Sequence, residues 1–409
     1  MQLCQSKKVL FLIRAYNDLD HIAPVIWKMA SAGFRVGYLL TGREFLGDYR
    51  IKIIEEASAK RMESVFINQY YARLRPRVKP KILRRAVDWL IALVVGSWFL
   101  KSHDIGCVIV EWAGPSGRDR APFLLRAARR LGLPTISIPH GYHTWLRNDF
   151  NTTTREAIET TGELPQLTDR NRFSAYVVQS ENIKRYCIES GIREKKIHTL
   201  GSARFCAEWS QINYNRCLSM ELQEEDPHGE EINVLFFLNH WNYNVDRHKC
   251  FALLKRLCLE ENVRLIIKGH TRGRVTGGLN PSEESILDQS GRVVFPNENI
   301  HSPQLVKNAD LVIVYGSSIC FEALRQCKPV CWPRFICPNL TIFDQSGLVS
   351  IAQSEDEVVG MIRAVENGEQ GTLDESSLDE FFRIHVEGGS DDTSVLQRYS
   401  DVISSFLST

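Results

Sequence analysis

The sequence predicts an α/β protein built from two doubly wound, Rossmann-like parallel-sheet domains. Short, continuously apolar runs alternate with helical stretches, the pattern of strands covered on both faces by crossover helices. The alternation breaks once, in a polar acidic stretch, and then restarts. The length of 409 residues suits two domains of ordinary size. Hydrophobic residues make up 44% and charged residues 24%, as in a globular chain, and 50 Lys+Arg against 49 Asp+Glu argue against a basic nucleic-acid binder.

The elements follow in order. "KVLFLIR" (8–14) reads as a strand and 21–32 as a helix. "FRVGYLL" (34–40) is a second strand, 45–60 a helical stretch, and "SVFI" (64–67) a third strand. "GCVIVEW" (106–112), a helix over 121–131, "PTISIPHG" (134–141) and "SAYVVQS" (174–180) complete a domain spanning 1–216. "CLSMELQEEDPHGEE" (217–231) reads as the linker. "INVLFFLNH", a helix over 247–261, "VRLIIKGH", "GRVVFP", "ADLVIVYGSS", a helix to Gln326 and "KPVCWP" make a second domain over 232–390. The tail is helical, and 391–409 is a candidate to cross back onto the first domain.

In such sheets ligands sit at the carboxyl ends of strands, near the point where strand order reverses. The polar residues expected there are Glu111, His140 with Gly141, Asn239 with His240, His270, and Gly316-Ser317-Ser318. Glycine and two hydroxyls where a strand hands over to a helix suit an anion, although an ordinary helix cap uses the same residues. Glu111 and His140 are candidates for proton transfer, with a buried ion pair and a core histidine as the bland alternatives. The polar segment 144–172 reads as lacking regular structure and as able to close over a ligand. It carries Asp149, Glu156, Glu159 and Glu163, and Glu163 or Glu159 is a candidate general base.

Four short motifs resemble the GT-B glycosyltransferases: "IPHG" (138–141), "IREKKIHTLGSAR" (192–204), "IIKGH" (266–270) and "GSSICFEAL" (316–324). Within that fold they are most similar to bacterial capsule and surface-polysaccharide Kdo transferases and CDP-glycerol glycerophosphotransferases. The resemblance implies two domains facing across a cleft, with the nucleotide donor held by the second and no metal or cofactor. It implies that Gly316, Ser317, Ser318 and a charged His270 hold the donor phosphate, with Ser202, His240, Lys268 and Arg272 also on the donor. It places Glu322 near the ribose or base. Thr271 stands where the family's Lys-x-His motif continues with proline. Retaining Kdo transferases are thought to use a carboxylate nucleophile; the loop here reads "LNHWNYNVD", with Asn239 in the candidate position and Asp246 the nearest acid.

The expected activity is transfer of a sugar, Kdo from CMP-Kdo first, to a surface-polysaccharide or lipid-linked acceptor. A CDP-glycerol-type phosphotransferase is the alternative enzyme, and a non-catalytic envelope scaffold the alternative of another class. Eleven cysteines without paired spacing suggest a reducing compartment, and Cys327, Cys331 and Cys337 lack the CxxC pair of a metal site. The start shows no signal sequence, so a cytoplasmic protein is expected. "WLIALVVGSWFL" (89–100) is too short to span a bilayer. It reads as a core helix, while the basic block "RLRPRVKPKILRR" (73–85) before it offers the other reading, peripheral contact with a membrane surface.

Overall fold

The computed structural model describes residues 7–40, 45–63, 80–112, 120–218, 231–269, 277–297, 300–369, 373–389 and 393–407. The chain forms two compact units, 1–142 with 166–211 and 383–409, and 143–165 with 212–382.

The first unit runs β1 (Lys8–Ile13), α1 (Tyr16–Ser31), β2 (Val36–Leu40), α2 (Tyr49–Glu56), β3 (Lys60–Arg61), α3 (Lys81–Ile91), a π-helical turn (Ala92–Gly96), α4 (Ser97–Ser102), β4 (Ile105–Glu111), α5 (Arg120–Arg130) and β5 (Thr135–Ile138). Helix α6 (Thr152–Thr161) belongs to the second unit. A short 3₁₀ turn (Thr168–Arg172), β6 (Ala175–Val178), α7 (Glu181–Glu189), β7 (Ile197–Thr199) and α8 (Ala207–Leu218) follow. The second unit continues with β8 (Ile232–Phe237), α9 (Arg247–Leu257), β9 (Val263–Lys268), α10 (Pro281–Asp288), β10 (Val293–Val294), α11 (Ser302–Asn308), β11 (Leu311–Ile313), α12 (Cys320–Arg325), β12 (Val330–Pro333), β13 (Ser350–Ala352) and α13 (Glu355–Glu366). The boundary to the first unit falls inside α14 (Glu375–His385), and α15 (Val395–Ser405) packs on α1.

Both sheets are parallel. Their orders are β3-β2-β1-β4-β5-β6-β7 and β10-β9-β8-β11-β12-β13. Order therefore reverses between β1 and β4 in one unit and between β8 and β11 in the other. The strands are apolar because helices cover both faces: all seven residues of β4 are buried. Helix α1 turns Leu19, Ile22, Ala23, Val25, Ile26 and Met29 inward at helical spacing. Its first turn is closed by Asp18, whose carboxylate accepts the backbone N–H groups of Arg14 (2.8 Å) and Ala15 (3.1 Å).

Several expectations change. The helix predicted over 45–60 is confined to Tyr49–Glu56, and Lys60 begins a two-residue edge strand. The predicted strand 64–67 lies outside the described residues. Strands β7 and β13 add to those predicted; each is three residues long, too short for a periodic signal. Helix α8 runs into the expected linker as far as Leu218, and 219–230 lie outside the described residues. The segment expected to lack regular structure contains α6 and the 3₁₀ turn. The residues 89–100 are helical and join the core by one face only: Ala92, Gly96, Phe99 and Leu100 are buried, while Trp89, Leu90, Val94 and Trp98 are exposed.

Candidate active site

In the first unit the switch point is charged. Glu111 ends β4 and is 4% exposed. Its carboxylate pairs with Arg14, which follows β1, and lies 2.9 Å from His140 Nδ1, just beyond β5. Three adjacent strands thus deliver a cation, a carboxylate and an imidazole to one edge. Trp112 packs edge-on to His140, at 6.0 Å between ring centres, and is itself pinned by donating to the Val177 carbonyl at 2.7 Å. Burial pushes the Asp18 carboxyl up, opposed by the Arg14 N–H and by the charges of His140 and Arg14. Burial also holds the nearby His21 imidazole well below its ordinary value, reinforced by Arg204, so it stays neutral.

Behind this edge a second polar cluster braces α1 and α2. The buried Arg50 pairs with Asp48 and Asp20, and Arg204 reaches Asp20 at 3.0 Å. The Arg50 guanidinium also lies 4.5 Å over the Tyr16 ring. Desolvation opposes its charge, yet the two carboxylates hold it charged.

In the second unit the switch point is held by neutral hydrogen bonds. Asn239, two residues beyond β8, is 2% exposed and donates from one amide nitrogen to the carbonyls of Tyr315 and Gly316, both at 3.0 Å. Its amide oxygen accepts the His240 N–H at 2.8 Å. His240 Nδ1 in turn accepts the Asn242 N–H at 3.1 Å, which leaves the ring proton on Nε2 in the neutral form. Gly316 sits at φ +60°, and a Cβ there would fall 2.1 Å from Trp145 Cη2 and 2.8 Å from Asn239 Nδ2. Only glycine fits. Ser317 and Ser318 follow, partly exposed, and the Ser317 hydroxyl accepts the Ile319 N–H at 3.4 Å.

The expected strand-to-helix anion site is altered in one respect. Helix α12 has six residues, Cys320–Arg325, so its aligned dipoles are few. The Ser317 and Ser318 hydroxyls, rather than a helix end, are the groups this turn can offer an anion.

The other predicted residues are distributed as follows. His270 and Arg272 lie outside the described residues. Lys268, at the end of β9, donates to the Asn297 (3.1 Å) and Ile300 (3.2 Å) carbonyls, which tethers that loop. Glu322 is buried in α12, at 4% exposure. Ser202 is a correction: it belongs to the first unit, is fully buried, and its N–H donates to the Val386 carbonyl at 2.7 Å. Its neighbour Gly201 has φ +87°, and a Cβ there would meet that same carbonyl at 2.6 Å. The motif around it seats the returning tail. Glu163 is exposed beyond the Gly162 cap of α6, in the second unit. Asn239 is a clamp: its amide donates to two carbonyls, a task no ionised carboxylate can perform.

Sequence reasoning missed Arg14 and Trp145. Arg14 was legible by the rule that selected Glu111, since it too is a polar residue ending an apolar run. Trp145 carried no signal; it lies in a polar segment and acts on Gly316, far along the chain. A cavity of about 300 Å³ in the second unit is lined by Arg147, Asp149, Arg155, Arg334 and Asn339 among others; of the residues predicted from the sequence it takes Asp149 alone. Burial pushes the Cys331 thiol up to about 12 and Cys337 to about 11, so both are protonated packing groups.

No family model matches the chain, and no curated protein matches it. Solved structures do. A UDP-GlcNAc 2-epimerase from Neisseria meningitidis bound to UDP-GlcNAc is similar with a TM-score of 0.56 at 12% identity, over 98% of this chain and 99% of that one. Anabaena HepE in complex with UDP and glucose gives 0.56 at 13%, over 98% and 100%. A glycosyltransferase from Rickettsia africae gives 0.56 at 11%, over 98% and 99%. At these identities the likeness is one of fold. Two parallel α/β units of seven and six strands, matched over 98% of the chain, give it the GT-B fold. Its structural neighbours include glycosyltransferases and epimerases of that type.

Proposed function

We propose that the protein is a nucleotide-sugar-dependent glycosyltransferase whose second unit holds the donor. The observation that carries the reading is the Asn239–Gly316 clamp, which fixes the turn presenting Ser317 and Ser318 at the switch point. In this reading the two hydroxyls, with His270, receive the negative charge that grows on the leaving phosphate as the anomeric C–O bond breaks. His140, whose Nδ1 lies 2.9 Å from the Glu111 carboxylate, takes the proton from the acceptor hydroxyl as its oxygen bonds to the anomeric carbon. Arg14 balances the Glu111 charge.

The donor reading divides by nucleobase. Neighbours that hold UDP and UDP-sugars favour a uridine donor, and "GSSICFEAL" favours a cytidine one, Kdo from CMP-Kdo or a CDP-glycerol-type group. A calorimetric panel of UDP, CMP, CDP, GDP and ADP separates them. Binding of one pyrimidine nucleotide, weakened about 10- to 100-fold in a folded Ser317→Ala/Ser318→Ala double variant, is the expected result; this corresponds to roughly 1–3 kcal/mol for lost hydrogen bonds to a charged group. Unchanged affinity in that variant sinks the donor assignment. Incubation with the nucleotide's sugar conjugates then distinguishes transfer from 2-epimerisation, and no binding at all returns the scaffold reading.

A further inference from the structure

Helix α3 is amphipathic in an unusual sense: its apolar face is turned to water. At about 100° per residue, Ile82, Leu83, Ala86, Trp89 and Leu90 share one arc of about 120°. All five are exposed, Ile82 at 79% and Leu90 at 57%. The stripe continues through Val94 at 60% and Trp98 at 66%. Of the thirteen exposed large hydrophobic side chains among the described residues, six lie between Ile82 and Trp98, and the other seven are scattered over the chain. Scattered ones are ordinary; a contiguous stripe marks an interaction surface.

The opposite side explains why the stripe stays outside. Ala92, Gly96, Phe99 and Leu100 are buried, and a Cβ on Gly96 would come 2.8 Å from Ala127 and 3.2 Å from Phe123 of α5. The π turn therefore seats this segment on α5 by its small residues and presents its large ones to solvent.

Charge selects the occupant. Arg85 flanks the apolar arc on the Trp89 side and is exposed, and Arg84 is half-buried. Neither has an ion-pair partner among the described residues. In sequence, 73–85 carries seven Lys and Arg and no acid, in a chain whose remainder has more acidic than basic residues. An apolar stripe with two tryptophans and a cationic margin is the composition of a surface that lies in a bilayer interface. A protein partner for such a face would have to be both apolar and acidic; a bilayer with anionic headgroups offers both at once.

We infer that the α3–α4 face docks in the interface of an anionic lipid bilayer. The inference does not depend on the donor assignment.

The test is flotation of the full chain with vesicles of phosphatidylcholine alone or with about one third phosphatidylglycerol. Wild type should partition at least ten-fold more strongly onto the anionic vesicles, and less strongly at high salt. Leu83→Gln/Leu90→Gln/Trp98→Gln and Arg84→Glu/Arg85→Glu should each lose at least ten-fold, with the thermal transition unchanged. Should the triple variant fail to fold, brominated-lipid quenching replaces it: quenching should drop in Trp89→Phe and Trp98→Phe. Wild type that ignores anionic vesicles overturns the inference. So does a dimer in sedimentation equilibrium that either substitution set dissolves, since a second copy would then be the occupant.

Discussion

The same topological position is built in two ways. Where strand order reverses in the first unit, Arg14, Glu111 and His140 meet as a charged cluster. Where it reverses in the second, Asn239, His240 and the turn at Gly316 are joined by neutral hydrogen bonds and a close-packed tryptophan. Charge moves protons but tolerates some looseness, because its interactions reach beyond contact. A neutral clamp has no such reach and works only through geometry. The first edge is thus suited to chemistry and the second to holding a group still.

The sharpest way to break this contrast is to remove charge from the first edge. Glu111→Gln should lower kcat/KM at least 100-fold, the usual scale for disabling general acid–base catalysis, while the nucleotide dissociation constant stays put. A variant that loses thermal stability and keeps its turnover would make Glu111 an ion-pair residue only. The second edge should respond to bulk. Gly316→Val adds side-chain atoms at a positive φ against Trp145 and should cost about 3–5 kcal/mol in urea denaturation. A Cβ on Gly141, beside His140, would meet no heavy atom within 4 Å, and Gly141→Ala should change stability by less than about 1 kcal/mol.

Placing a charge on the neutral edge is the reciprocal experiment. Asn239→Asp puts a carboxylate against two carbonyl oxygens and should cost about 2–3 kcal/mol at pH 7. The loss should shrink as pH falls, because a protonated carboxyl can donate to one carbonyl again. A stable variant at neutral pH would show that the clamp is dispensable.

Much of this contrast is legible in the sequence, and its limits are physical. The strands and the residues at their ends can be read because parallel strands are apolar throughout and stop abruptly at polar residues. Glu111, His140, Asn239 and Ser317 emerge that way. The task of Asn239 is hidden, since it depends on carbonyls 76 and 77 residues further on. Ser202 misleads because the motif around it anchors a chain segment near residue 386 that no local pattern connects to it. The run 89–100 reads as core because apolar composition says nothing about which side faces water.

Two smaller predictions sharpen the comparison from its common ground. Burial holds His143 in the second unit and His385 in the first down to about 4. Each stays neutral when folded, so between about pH 6.5 and pH 4 the unfolded chain binds protons that the folded chain does not. Stability then falls as pH falls, by up to about 1.4 kcal/mol per pH unit for each histidine. His143→Gln and His385→Gln should each flatten the acid limb of urea-denaturation stability by that slope; an unchanged limb would mean the imidazole already titrates normally when folded. The smallest expected effect is Lys268→Met. It unties the loop at Asn297 and Ile300 and should cost about 1 kcal/mol, seen as faster amide exchange at 300–302 with little change elsewhere.

The wedge at Gly316 also sets an order of events during synthesis. Trp145 leaves the ribosome about 170 residues before the glycine it packs against. At roughly 5–20 residues per second it waits about 10–30 s for that partner. The first unit waits longer still, because α15 seats on α1, about 370 residues before it in the chain. Neither unit can close while its half of the message is being read. The nascent chain therefore carries exposed aromatic surface for most of its translation, and a holding chaperone should raise the yield of folded protein.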